Sequence, residues 1–522
     1  MSGAVVPASL DAGASAPTAL PPTALPALGA MEALTLFRAG DLSPVELLDA
    51  TLTRIDELDG GRNTGGDAGS AVVPNETDIN AVVQILDSAR DDARRAEQRY
   101  LAGDLEEPIG HGATALLGLP IATKEKHGVA GEPLSQGLTA LRSERAVSDH
   151  PVIERIRAAG GIVHARTTSP EFSCATVTHS GLWGVTRNPW NPELSPGGSS
   201  GGAGAALAAG YAPLATASDI AGSTRIPAAF CGVVGYKAPY GRIPWLPPLA
   251  ADWYRGDGPM ARSVADTALL TRVLSGQHPV DHGTVPGAET IPLDYADPIG
   301  WLVGKRIALA VRLGDYPVHP DVERAVRETA ARLVAAGATV EEVVLPWTSA
   351  RIRDVTMGHF GYILGPAMAQ LTAGMTDLAA YTQRFIADAA AAAERMPLVE
   401  TLAGEAALQA DLAEAMRGFD TLVAPVNAVD GLRADGAYLD GLDLPSADGS
   451  TVHLDHYWEG HMTVPFNVSN RCPVLSVPAG VAGNGLPVGM QIVGHPYAEA
   501  SVFRVGAAVE ALQPWERLAP MG

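Results

Sequence analysis

The chain has 522 residues, 47% hydrophobic and 18% charged, with a formal net charge of −22. That suits a large buried core, and so acidic a surface repels phosphate backbones, which argues against nucleic acid as a partner. Three dispersed cysteines, Cys174, Cys231 and Cys472, make no disulfide framework or paired-thiolate zinc site and fit a reducing, cytoplasmic setting, and no apolar run reaches the roughly 18 residues of a membrane span.

Residues 1–28 lack a basic start, are rich in Ala and Pro, and read as a disordered tail rather than a signal peptide. The expectation for 29–522 is a single domain. Helical periodicity runs over 30–57, with Ser43 as N-cap and Pro44 in the first helical position. Gly/Asn/Asp-rich residues 59–78 predict a surface excursion, and a helix follows through 87–103. Strand-like runs at 116–123 and 161–167 flank a helix that begins at Pro151. The alternation resumes with a strand at 306–311, a helix near 320–337, and strands at 338–345 and 421–426. This pattern predicts an α/β sheet with helices on its faces. Residues 350–416 are helical in pattern, either a lid over a substrate or an ordinary packing pair.

Only four of the 36 Lys and Arg residues are lysines: Lys124, Lys126, Lys237 and Lys305. Where a generic positive charge would serve, this chain uses arginine. A retained lysine can do what arginine cannot, which is to lose its proton. Two of the four sit in "IATKEKHG" (121–128).

The stretch "SPGGSSGG" (195–202) leads into a small-residue helix and an apolar strand, so it is no linker. It lacks the lysine of a phosphate loop. Gly197 to Gly201 match G-x-S-x-G, but turn formers precede them instead of the strand a nucleophile elbow requires. Twenty-four residues on, Ser223 closes a loop whose amides, Ile220 through Ser223, could form an anion-binding nest. A lysine and two serines make a hydrolytic constellation without histidine.

These blocks resemble the amidase signature enzymes. The resemblance is carried by "GLPIATKEKHGVAG" (118–131), "TRNPWNPELSPGGSSGGAGAALAAG" (186–210), "SDIAGSTRIPAAFCGVVGYKAPYGRI" (218–243) and "GDGPMARSVADTALL" (256–270). Near the end, "VPFNVSNRCPVLSVPAG" and "GLPVGMQIVG" also match. It implies a mixed central β-sheet flanked by helices on both faces, with a helical segment covering the substrate. It further implies a Ser-cisSer-Lys triad: Ser223 as nucleophile, Ser199 as relay after a cis peptide from Gly198, and Lys124 as base. The oxyanion would be held by the amides of Ile220, Ala221, Gly222 and Ser223. Asp219 and Arg225 would brace the loop, and Ser173 would stand beside the acyl group. Lys124 must be neutral to accept a proton, so its pKa has to fall from about 10.4 to roughly 7–8, which burial can supply.

Two positions depart from the family pattern. Ala221 stands where glycine is usual, and would be strained if that position needs a positive φ. Glu125 follows the lysine in place of Asp. The resemblance implies no cofactor, a small-molecule amide or carbamate as partner, and a homodimer as a common state of similar enzymes. Arg225-Ile226-Pro227-Ala228 departs from the Arg-Gln-Pro-Ala of tRNA-dependent amidotransferase subunits. His453, His456 and His461 offer metal-ligand chemistry, but their spacing is no standard zinc pattern, and the stretch reads as a loop near the substrate mouth. Cys174 has no partner base in the sequence, and Trp183, Trp190 and Trp245 read as core or pocket wall.

Overall fold

The computed structural model describes residues 21–60, 78–106, 108–288, 290–446 and 449–520. Eleven strands form one sheet: β1 (Val82–Ile85), β2 (Pro120–Lys124), β3 (Ile162–Thr167), β4 (Leu214–Ala217), β5 (Val234–Lys237), β6 (Gly258–Ala261), β7 (Arg306–Leu309), β8 (Thr339–Glu342), β9 (Thr421–Pro425), β10 (Val474–Val481) and β11 (Pro487–Gly494). Their spatial order is β1-β3-β2-β4-β6-β5-β10-β11-β9-β7-β8. The sheet is mixed: β2 is parallel to β3 and β4, and β7 to β8 and β9, while the other neighbours are antiparallel.

Side chains alternate across a strand, and here the alternation feeds the two larger of four buried apolar clusters among the described residues. Ile307, Leu309, Val423, Leu475 and Ile492 join one core, against the helices Val264–Leu274, Pro320–Ala335 and Glu499–Leu512. Ala308, Leu422, Ala424, Val474 and Val493 join the other, against Ser349–Ile363, Ala380–Arg395 and Leu398–Ala415. Helices therefore cover both faces, as the α/β expectation requires. The stretch 350–416 is mostly helical, with Gly365–Leu371 as a fourth helix and an eight-residue non-helical break at 372–379.

The periodicity at 30–57 resolves into two helices, Ala30–Ala39 and Pro44–Asp59. Gly40 ends the first in the left-handed region, and Ser43 with Glu46 forms a reciprocal capping box at the start of the second. The strand read at 116–123 begins only at Pro120, after a turn with Gly118 at φ 80°.

Residues 21–28 correct the tail expectation. Pro22–Ala27 form a 3-10 helix, and Leu25 and Leu28 are buried in the first core. Residues 1–20, and 61–77 of the expected excursion, lie outside the described residues. Among the described residues no helix is long and apolar enough to cross a membrane.

Candidate active site

Lys124 is the last residue of β2, where a strand buried along its whole length carries it into the protein. Its amide donates to Thr216 Oγ1 of β4 (3.0 Å), and its side chain is fully buried. Three hydroxyls surround Nζ: Ser199 Oγ at 2.7 Å, Ser200 Oγ at 2.9 Å and Ser218 Oγ at 3.2 Å. Burial, and then the neighbouring Lys126 cation, hold the Lys124 pKa well below its ordinary 10.5. A neutral amine has two N–H donors and one lone pair, which matches three hydroxyl neighbours. Ser200 Oγ also accepts from the Ser218 amide (3.3 Å), so its oxygen is already filled by two donors.

Ser199 follows a cis peptide from Gly198. A Cβ on Gly198 would lie 2.6 Å from the carbonyl oxygen of Ala175 and 2.7 Å from that of Val177, so no side chain fits where this turn passes the 175–177 segment. Ser200 stands at the N-cap position of the helix Gly201–Ala209, with its hydroxyl turned to Lys124 and not to the helix amides.

Asp219 organises the next loop. Its Oδ1 accepts from the Gly222 amide (2.8 Å) and Arg225 Nη2 (2.9 Å), and its Oδ2 from the Thr224 amide (3.3 Å) and Arg225 Nε (2.9 Å). Burial alone would raise its pKa, but the Arg225 guanidinium and the Asn467 amide outweigh that and hold the carboxylate charged. Arg225 reaches on to Gln491, Asn467 and the Thr463 carbonyl. This changes the expected oxyanion set. The Gly222 amide is engaged by Asp219, whereas the amides of Ile220, Ala221 and Ser223 donate to no acceptor among the described residues. The positive φ falls on Gly222 (116°) and not on Ala221, so the anticipated strain at Ala221 does not arise. A Cβ on Gly222 would sit 2.0 Å from Thr463 Oγ1.

Ser199, Ser218, Ile220, Ala221 and Ser223 open on one cavity of about 330 Å³. Its walls are largely apolar. Phe360, Met368 and Leu371 come from the helices Ser349–Ile363 and Gly365–Leu371, Leu364 joins the two, and Phe385 and Trp458 pack beside them. Ser173 also lines it, with φ at 60°, next to Phe172 at 52°. Glu125, the second departure, is buried and accepts from the amides of Ser135 and Gln136 and from the Ser135 hydroxyl. It thereby fixes the loop that brings Leu134 and Gln136 to the cavity.

The three histidines diverge. His453 is exposed and pairs with Asp443 (2.8 Å), His456 stacks on Tyr457 near Asp388, and only His461 reaches the cavity. Burial pushes His461 down to about 3. Among the described residues no group of ligand side chains is placed to hold a metal. Cys174 lines the cavity, but burial pushes its thiol up to about 12, so it stays protonated. Of the tryptophans named from sequence, Trp245 lines the cavity, and Trp190 packs against the core.

Sequence reasoning missed Ser218, Arg255 and Asp257. The scarcity of lysine pointed at Lys126 without giving it a role. Nothing in the sequence links it to Arg255, 129 positions away.

The mixed sheet sets Lys124 against Ser199, Ser200 and Ser218 beside one cavity, and the relatives of the chain place it among enzymes that hydrolyse carbon–nitrogen bonds. The family model described as Amidase matches residues 74–503, and the chain belongs to that family, the amidase signature enzymes. An acylamidase from Rhodococcus erythropolis is 31% identical, over 94% of this chain and 96% of that one. A glutamyl-tRNA(Gln) amidotransferase subunit from Roseiflexus castenholzii is 30% identical, over 95% and 98%. Among solved structures, a bacterial aryl acylamidase of the amidase signature family superposes with a TM-score of 0.77 at 27% identity, over 94% of this chain and 96% of that one. A 6-aminohexanoate cyclic dimer hydrolase with bound substrate gives 0.74 at 28%, over 94% and 98%.

Proposed function

We propose that the protein hydrolyses carboxylic amides with aryl or other hydrophobic groups through an acyl-Ser223 intermediate. The observation that carries this reading is the buried Lys124 amine, its pKa held well below 10.5 by burial, 2.7 Å from the Oγ of Ser199, which lines an apolar cavity together with Ser223. Ser200 and Ser218 accept the two amine N–H bonds, and the lone pair takes the Ser199 proton. Ser223 Oγ attacks the carbonyl carbon while its proton passes to Ser199 and the Ser199 proton to Lys124. The same path returns a proton to the departing nitrogen, without which an amide is a poor leaving group. Water then attacks the acyl-Ser223 ester with the relay reversed. The amides of Ile220, Ala221 and Ser223 stabilise the oxyanion, each worth about 3 kcal/mol. Asp219 and Arg225 hold their loop in register, and Ser173 borders the acyl group.

A glutamine-dependent amidotransferase role is the second reading, favoured by the full-length match to the Roseiflexus castenholzii protein. Glutamine carries an ammonium group that needs a carboxylate partner, and no Asp or Glu among the described residues lines this cavity. The test is a panel of acyl anilides, aliphatic amides, aryl carbamates and glutamine, with products identified by mass spectrometry. Ser223→Ala and Lys124→Ala are each expected to lower kcat/KM on anilides by at least about 10³-fold, with an unchanged circular dichroism spectrum. Substantial turnover by Ser223→Ala would refute the nucleophile, and normal neutral-pH turnover by Lys124→Ala would refute the base.

A further inference from the structure

One end of the cavity is chemically unlike the rest. Trp245 stands there with two cations on it: the Lys126 Nζ lies 5.1 Å from its ring centroid and the Arg255 guanidinium 4.3 Å. All three residues line the cavity. Lys126 makes no hydrogen bond or ion pair among the described residues; its contact is with the indole face. Arg255 is 6% exposed, and its buried Nη1 has no hydrogen-bond partner among the described residues. Its nearest acid, Asp257, is 3.9 Å away and turns Oδ2 to His127 at 3.2 Å.

The surroundings leave this charge without compensation in the cavity itself. In a chain of net charge −22, no aspartate or glutamate among the described residues lines the cavity. The nearby acids stand outside the cavity lining. Glu125 holds the Ser135–Gln136 turn, and Asp252 accepts from the Tyr254 amide and pairs with His359 through Oδ1, while Asp252 Oδ2 and Asp257 Oδ1 are buried without a hydrogen-bond partner among the described residues and offset part of the Lys126 and Arg255 charge from behind. Burial and then Arg255 press the Lys126 pKa down to about 7, so an incoming anion would favour its charged form. Charge-assisted bonds to a planar guanidinium and an ammonium, beside an aromatic face, are the chemistry that binds a carboxylate.

We propose that Lys126 and Arg255 form an anion subsite at the Trp245 end of the cavity, so that the preferred substrates are amides bearing a carboxylate, with their apolar half against Phe360 and Phe385. The inference rests on the hydrolytic reading of this cavity and names the substrate class for it. A rival explanation is that the two cations serve only to depress the Lys124 pKa. That effect would act on every substrate alike, whereas a subsite discriminates.

The test compares matched pairs: 4-acetamidobenzoate against its neutral isostere 4-nitroacetanilide, and N-phenylsuccinamate against N-phenylbutanamide. Intrinsic reactivity cancels when the ratio of kcat/KM within a pair is compared between wild type and Lys126→Met. The expected result is an at least about tenfold fall in that ratio for one pair, carried by KM; which pair responds tells whether the carboxylate sits on the amine or the acyl half. An unchanged ratio in both pairs overturns the subsite. A measurement that needs no variant is inhibition of wild-type 4-nitroacetanilide turnover. Benzoate and 3-phenylpropionate are expected to compete at about tenfold lower concentration than benzyl alcohol and 3-phenylpropanol, and equal potency overturns the subsite. Ser223→Ala is run beside these. If it retains turnover, the catalytic reading fails. If turnover depends on Ser223 and the ratio does not move, the subsite alone fails.

Discussion

In the proposed mechanism Lys124 can serve as the base only because of where it sits. Burial is the first cause of its lowered pKa and the Lys126 cation the second, while Asp257 and Asp219 pull the other way. The acid limb of kcat/KM reports the free-enzyme base, so activity rises with pH as Lys124 loses its proton. Removing a like charge favours the protonated amine. Lys126→Met is therefore expected to move that limb to higher pH on a neutral anilide, read from a pH–rate profile. A limb that stays in place or moves down would show that Lys126 exerts no field on Lys124. Lys237 repeats the burial without the serines: its amine bonds Asn470 and the Cys472 carbonyl, and burial brings it to about 7. Lys305 alone among the four is a surface lysine, 3.8 Å from Asp420. The bias against lysine thus marked three interior amines rather than one.

At the scale of elements, His359 fastens the helical wall to the loop that carries Arg255. It stands on Ser349–Ile363 and bonds Asp252 Oδ1 and Glu405 Oε1, each at 3.0 Å, with its ring stacked on Tyr254 at 3.6 Å. Glu405, from Leu398–Ala415, also accepts from the Tyr254 hydroxyl and the Trp253 indole. Burial would lower the His359 pKa, but the two carboxylates outweigh it and raise the value above 6.5. A raised folded pKa gives stability that is complete below the unfolded value near 6.5 and is lost as pH climbs through the folded one. His359→Gln leaves two buried carboxylates without their cation, at about 3 kcal/mol. Melting curves over roughly pH 5 to 9 are expected to show the largest gap between wild type and variant at the acid end, narrowing with pH. A gap that widens toward alkaline pH would overturn the assignment of charge. None of this network was legible in the sequence, because its members lie at 252–254, 359 and 405 and carry no local signal. By contrast Ser43-Pro44, the helix near 320–337 and strand 162–167 were legible, since capping and periodicity act within a few residues. Strand β1 was missed although Val82, Val83 and Ile85 are β-branched, because the run is only four residues long and leads almost at once into a helix.

Over the whole molecule, Arg262 ties distant parts together. It is buried, and it donates through Nη1 to the carbonyls of Leu207 and Ala212 and through Nη2 to those of Pro26 and Leu28. Composition made 21–28 look like tail, because proline and alanine are what tails are made of; the packing is decided by an arginine more than 200 residues away. Arg262→Met removes four hydrogen bonds and strands buried carbonyls, so a loss of about 3 kcal/mol is expected. Thermal melting reads the loss, and limited proteolysis should cut first near residue 28; an unaltered melting temperature and digestion pattern would mean that the segment is held by its leucines alone. The candidate site was legible as a set of residues because its blocks match a family. Its wiring was not: that Asp219 takes the Gly222 amide depends on side-chain geometry that no spacing encodes. The sheet's separation of two cores has a consequence for how such an enzyme can change. Every strand residue that faces the cavity side has neighbours that face away from it, so the wall of Phe360, Met368 and Phe385 can be rewritten while the opposite core keeps its partners. New specificities are therefore accessible by drift on one side, with the other side acting as an inherited reserve of stability.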